Sequence, residues 1–162
     1  MTDAVEQRLA ALEQRVRLLE DEAEVRRVVA AYGPLVDAGE ADATAALWED
    51  DGVYDVDELV MRSADDVRAM VRSRGHQGFI AGGCAHVVGP AHVALHGDEA
   101  VAVCHSLMVV SDQGAFAVRR ATANVWRLRR AAAGWRVVSR TSRVLDGRPE
   151  APRLLAEGMR PD

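Results

Sequence analysis

Residues 32–57 read YGPLVDAGEADATAALWEDDGVYDVD, and the fold is read outward from them. A helix ends at Asp37–Ala38–Gly39, with Gly39 placed as its C′ residue. A second short helix is predicted over Ala41 to Trp48, capped by Asp42, with Leu47 and Trp48 turned inward. Asp50, Asp51 and Gly52 read as a turn, followed by a strand from Gly52 to Val56. Tyr32 and Asp37 are polar interruptions of an apolar helix face, and we read them as facing a pocket.

Upstream, Val5, Leu9, Leu12, Val16, Leu19 and Ala23 alternate in steps of four and three. This is a heptad seam of about three repeats. No Gly or Pro interrupts residues 4–32, so the helix can continue through Val25, Val28, Val29, Tyr32 and Leu35, with Pro34 near its end. Downstream, 57–61 is a connection. Ser63 stands three residues before the carboxylate of Asp66, an N-cap signature for a third helix over 64–73. The glycine-rich stretch 75–83 reads as a loop.

From Cys84 the pattern turns to period two. Strands are predicted over 84–96 with a break at Gly89–Pro90, then over 99–111, 115–130 and 134–145. The segment from Gly147 is a tail with a short helix at 153–157. The expected division is a helical extension over 1–22, one domain over 23–146 and a tail over 147–162. The order predicts an α+β fold, with one curved, mostly antiparallel sheet wrapped over about three helices.

The 162 residues suit one domain. With a net charge of −5 and a pI of about 5.5, the chain has no electrostatic footprint for nucleic acid or an anionic membrane. All 20 of its basic residues are Arg. No secretory leader is read at the charged N-terminus, and no apolar run reaches the ~18–20 residues of a membrane span. Cys84 and Cys104 lie in apolar contexts and read as reduced core thiols. The expected location is the cytoplasm.

The quoted helix-to-strand stretch, the Ser-Ala-Asp-Asp-Val third helix and the four-strand meander with Gly-Asp-Glu-Ala in its first hairpin resemble SnoaL-like proteins of the NTF2-like superfamily. The group is similar in fold to scytalone dehydratase, ketosteroid isomerase and bile acid 7α-dehydratase. The resemblance implies a cone-shaped α+β barrel and a cofactor-independent lyase (dehydratase) or isomerase. The substrate expected is a hydrophobic polycyclic, steroid- or polyketide-like carbonyl compound. A polyketide (aldol) cyclase and a non-catalytic binder or scaffold are the alternatives. It implies that Tyr32 resembles an oxyanion-donating tyrosine, Asp37 the helix aspartate of the dehydratases and His86 their strand histidine. Asn124 falls at a second oxyanion or substrate-contact position. Val56 stands where ketosteroid isomerase carries its base, and Ser111 near the second catalytic histidine of scytalone dehydratase. Neither relative's full set is therefore present.

On the residues alone, Tyr32 and Asp37 lie roughly 140° apart at about 100° per residue, and an Asp beside Gly at a helix end is ordinarily a cap. If His86 reaches Asp37, the pair forms a general acid/base unit. Trp48, Tyr54, Val56, Asn124 and Trp126 are the candidates to line the pocket, with the two tryptophans either forming a flat wall there or packing as core. His105 shares a strand face with Val103, Leu107, Val109 and Ser111, and is a further candidate. His76, His92 and His96 read as solvated. Arg140 and Arg143 lie near the mouth, where one could hold a carboxylate. No metal-ligand spacing is present, so neither metal nor cofactor is expected. The resemblance implies a sheet with one exposed face, and together with the heptad seam this points to a homodimer or homotrimer.

Overall fold

The computed structural model describes residues 2–160; Met1, Pro161 and Asp162 lie outside them. Helix α1 runs unbroken over Thr2–Asp37. Its first half is solvated. From Val25 onward it docks on the sheet through Val25, Val29, Tyr32 and Val36, all buried at the four-three-four spacing of one helical face. Pro34 costs the helix little because it sits in the last turn. Glu40 N donates to Leu35 O at 3.0 Å and Gly39 N to Val36 O at 3.2 Å, with Gly39 at φ 72°. This is a Schellman cap, and it makes Asp37 the last residue of the helix.

Helix α2, Ala41–Ala45, is shorter than predicted. Trp48 already belongs to strand β1, Trp48–Val56. The expected Asp50–Asp51–Gly52 turn is instead an irregularity within β1, whose register against the last strand shifts between Trp48 and Val53. A bulge bends a strand without ending it. A Cβ at Gly52 would lie 2.8 Å from both the Trp48 ring and Val137 O, so the bend needs glycine. The connection 57–61 contains strand β2, Leu59–Met61, paired back on β1 through a turn at Asp57 with φ 48°.

Ser63 caps α3, Ala64–Arg72, by accepting from Asp66 N at 3.1 Å. The stretch read as a loop is helix α4, Arg74–Gly82, capped by Ser73. A side-chain cap and docking on the end of α1 outweigh the low helix propensity of three glycines.

Strands β3 (Cys84–Val88), β4 (His92–His96), β5 (Glu99–Asp112), β6 (Ala115–Ala131) and β7 (Gly134–Val144) fall close to their predicted limits. The sheet order is β2-β1-β7-β6-β5-β3, with β4 also pairing β5. All pairs are antiparallel except β1–β7. Register shifts between Met108 and Val109 and between Arg127 and Leu128 bend the long strands, so the sheet curves around the buried end of α1. Helix α5, Glu150–Gly158, covers the outer face, where Gly158 lies against Val103 and Val125. The architecture is the expected curved α+β sheet, with five helices among the described residues.

Candidate functional site

The site forms where α1 passes β3. A Cβ at Gly33 would overlap the His86 carbonyl oxygen, so glycine lets the two backbones touch. That approach carries Asp37, at the end of α1, onto the start of β3. Asp37 Oδ1 lies 2.6 Å from His86 Nδ1, and Oδ2 accepts from His86 N at 2.6 Å. Cys84 Sγ donates to Oδ1 at 3.6 Å. The carboxylate thus receives three donors from β3. With Nδ1–H directed at Asp37, Nε2 is the ring nitrogen left for other partners. Burial first, then Asp37, pushes the Cys84 thiol up, so it stays protonated. The expected core thiol is a half-buried neighbour of the site.

Asp37 is badly placed for stability. It sits at the negative end of the α1 dipole, in a last turn with no basic residue. The hydrogen bonds from His86 compensate.

His76 corrects a second expectation. It is buried, not solvated. Its Nε2 donates to Val36 O at 2.9 Å, and its ring lies 5.7 Å from that of His86 at 35°. It therefore backs the His86 ring. His92 and His96 are exposed as expected.

Tyr32 is 4% exposed. Its ring meets Trp48, Tyr54, Trp126 and His86 edge-on at 5.9–6.3 Å. Burial, with Tyr54 next, pushes its phenol well above the ordinary tyrosine range. It is a neutral donor throughout the working range of pH. Tyr32, Tyr54, Val56 and His86 line one cavity of about 150 Å³, together with Ser106, Thr122, Ser142 and Arg140. Val56 and Arg120 also border an outer groove of about 640 Å³, so the two spaces adjoin.

Four expected contact residues are placed differently. Trp48 and Trp126 are fully buried behind the cavity and do not line it. Their aromatic mass is core. Asn124 is also fully buried. Its amide donates to Ser106 Oγ at 3.0 Å and Thr122 Oγ1 at 3.1 Å, and its oxygen accepts from Arg140 Nε at 3.0 Å and Nη2 at 2.8 Å. Both ends are occupied, so Asn124 orients Arg140 rather than a ligand. His105 points to the opposite, outer face and is exposed. Strand alternation put it on one of two faces, and packing chose the outer one.

Of the two arginines, Arg143 pairs with Asp55 at 2.7 Å, while Arg140 enters the cone. Its guanidinium carbon stands 4.2 Å from the Trp126 ring centroid, 4.3 Å from Tyr32 and 4.5 Å from Tyr54. Ligand atoms of Asp37, Cys84 and His86 lie within 4.8 Å of one another, a grouping that sequence spacing did not reveal. A metal there would have to displace the Nδ1 proton that now joins His86 to Asp37 and the proton on Cys84.

No helix among the described residues is long and apolar enough to cross a membrane. Among curated proteins none matches the chain. An NTF2-like protein with a cystatin-like fold from Novosphingobium aromaticivorans is 42% identical, with a TM-score of 0.89, over 91% of this chain and 96% of that one. A Mycobacterium tuberculosis protein of unknown function superposes with a TM-score of 0.70 at 16% identity, over 91% of each chain. Aln2 from a Streptomyces species does so with a TM-score of 0.67 at 20% identity, over 76% of this chain and 89% of that one. The last two show the fold alone. The model of the SnoaL-like domain matches residues 17–141, and the chain belongs to this SnoaL-like family of NTF2-like proteins.

Proposed function

We propose that the chain is a cofactor-independent lyase of the dehydratase kind, or an isomerase, acting on a hydrophobic carbonyl compound. One observation carries the reading. The 2.6 Å bond from His86 Nδ1 to Asp37 orients a histidine in the wall of a cavity that Tyr32 also lines.

In this reading His86 Nε2 takes the proton from the carbon beside the carbonyl. The C–H electron pair forms the new C=C bond, and charge moves onto the carbonyl oxygen. Tyr32 donates to that oxygen as the enolate develops. The enolate then expels the β-hydroxyl, which leaves as water with the proton from His86. Returning the proton to a different carbon gives isomerisation instead. Asp37 fixes the tautomer and stabilises the imidazolium, and general acid/base catalysis of this kind contributes roughly 10²–10⁴-fold. A cavity of about 150 Å³ is the size that holds one benzene ring. We therefore read the reacting end as a single ring or shorter, with the remainder in the outer groove. The work is read as cytoplasmic, where the free thiols of Cys84 and Cys104 stay reduced.

The test uses 3-hydroxycyclohexanone in D₂O, following α-deuterium incorporation by NMR and cyclohexenone formation by absorbance. The wild type is expected to accelerate both. His86→Ala and Asp37→Asn should lose both while melting within a few degrees of the wild type. A fully active His86→Ala overturns the assignment. A wild type that binds the probe without exchanging its protons is the non-catalytic binder.

A further inference from the structure

Arg140 is 2% exposed, and its guanidinium is a cation. Two of its nitrogens share Asn124 Oδ1. The third, Nη1, is buried with no acceptor. Among the described residues no carboxylate pairs with it. Burying an uncompensated cation costs several kcal/mol, of which three ring faces return a part. The lining of the cavity leaves the same imbalance. Arg140 and Arg120 are in it, with the hydroxyls of Ser106, Thr122 and Ser142, and no carboxylate is. Arg120 is neutralised by Asp57, whereas Arg140 is not neutralised.

We propose that this cavity receives a carboxylate-bearing compound, with Arg140 Nη1 as the donor that binds its carboxylate. This names the substrate class of the site described under the proposed function and rests on that reading. The ligand supplies the counter-ion that the fold omits. Because the cavity holds about one ring, a ligand seated on Arg140 also touches the wall formed by Tyr32 and His86.

The test is the binding of benzoate against benzamide, its neutral isostere, by calorimetry and tryptophan fluorescence. The wild type is expected to bind benzoate at least tenfold more tightly and to melt higher in its presence. Arg140→Met should lose the preference, and Arg140→Lys, which keeps the charge, should retain part of it. Equal affinities in the wild type, binding of neither probe, or undiminished benzoate binding by Arg140→Met overturns the proposal. If Arg140→Met fails to fold, the wild-type comparison and Arg140→Lys decide. His86→Ala should keep the benzoate preference, so failure of the catalytic reading and failure of this one are distinguishable.

A different observation carries a second inference. Val5, Leu9, Leu12, Val16 and Leu19 on α1 are 51–66% exposed. A helix with an apolar stripe open to water lacks the packing that normally stabilises it. With Leu9 and Val16 at heptad a and Val5, Leu12 and Leu19 at d, Arg8 and Arg15 occupy g, and Glu13 and Glu20 occupy e. In a parallel pair g faces e of the next heptad, so Arg8 meets Glu13 and Arg15 meets Glu20. An antiparallel pair would set Arg against Arg and Glu against Glu. The geometry points to a parallel coiled coil with a second copy of this chain. Light scattering on the full chain should show an oligomer that Leu12→Glu reduces to monomer, and Leu9→Cys should cross-link to itself. A monomeric wild type, an oligomer that survives Leu12→Glu, or no self-cross-link overturns it.

Discussion

The rim and the interior of the cone treat charge in opposite ways. At the mouth Arg120 pairs with Asp57 and Arg143 with Asp55, and at the far end of β6 Arg130 pairs with both Asp21 and Asp98. Inside, Arg140 meets aromatic faces and an amide, and Asp37 meets a histidine. Exposed pairs gain little in water, and buried unpaired charges are expensive. A fold selected for stability alone would reverse this distribution. The expensive charge, that of Arg140, lines the cavity where a ligand would sit, which is how functional sites are expected to depart from stability rules.

The largest expected break in this comparison is catalytic. His86→Ala or Asp37→Asn should lower probe turnover roughly 10²–10⁴-fold. Asp37→Asn should melt within a few degrees of the wild type, since removing a charge from the wrong end of a helix dipole offsets part of the hydrogen bonding that the carboxylate loses. A parallel loss of stability and activity would make Asp37 a structural cap.

Gly33→Ala comes next. Its methyl group would press on the His86 carbonyl, and overpacking of this kind costs about 1–3 kcal/mol. Denaturant unfolding should show that loss, with turnover falling because β3 moves away from Asp37. Near-wild-type stability would mean the backbones can part cheaply.

Asn124→Leu should follow. It strips the acceptor from two Arg140 nitrogens, at about 1.5–3 kcal/mol for hydrogen bonds to a charged group, and should loosen benzoate binding although Asn124 never touches the ligand. Unchanged affinity would mean the aromatic faces alone hold Arg140.

Tyr32 makes an alkaline prediction. Its folded pKa is raised by burial, so the folded state holds the proton more tightly than the unfolded chain. The stability it contributes is intact below about pH 10, the unfolded value, and is lost as pH rises beyond it. Between pH 10 and 12 the wild type should therefore lose stability faster than Tyr32→Phe. Equal slopes would place the phenol in contact with water.

The smallest effect belongs to the rim. Arg120→Ala and Arg143→Ala should each cost no more than about 1 kcal/mol, less at high salt. A cost equal to that at Asn124 would erase the contrast between rim and interior.

Much of this fold is written locally. The apolar spacing of α1, the Ser63 cap and the period-two strands are properties of neighbouring residues, and they fix helix, strand and face. The pairing of Asp37 with His86 was legible only as a conditional, through the resemblance, because 49 residues separate them. Helix α4 was missed because its cap and docking outweigh composition. The burial of His76, the outward turn of His105 and the commitment of Asn124 to Arg140 depend on which element covers which, and periodicity does not carry that.

The sequence by itself determined α1, α3 and the long strands in their order, the family and the short set of residues around Tyr32, Asp37 and His86. Only the tertiary structure decided that α1 touches β3 at Gly33, closing the Asp37–His86 bond, and that one arginine among 20 basic residues is buried without a counter-ion. The physical reason is that propensity and periodicity act over a few residues, whereas hydrogen bonding and desolvation depend on distances that exist only after the chain has packed.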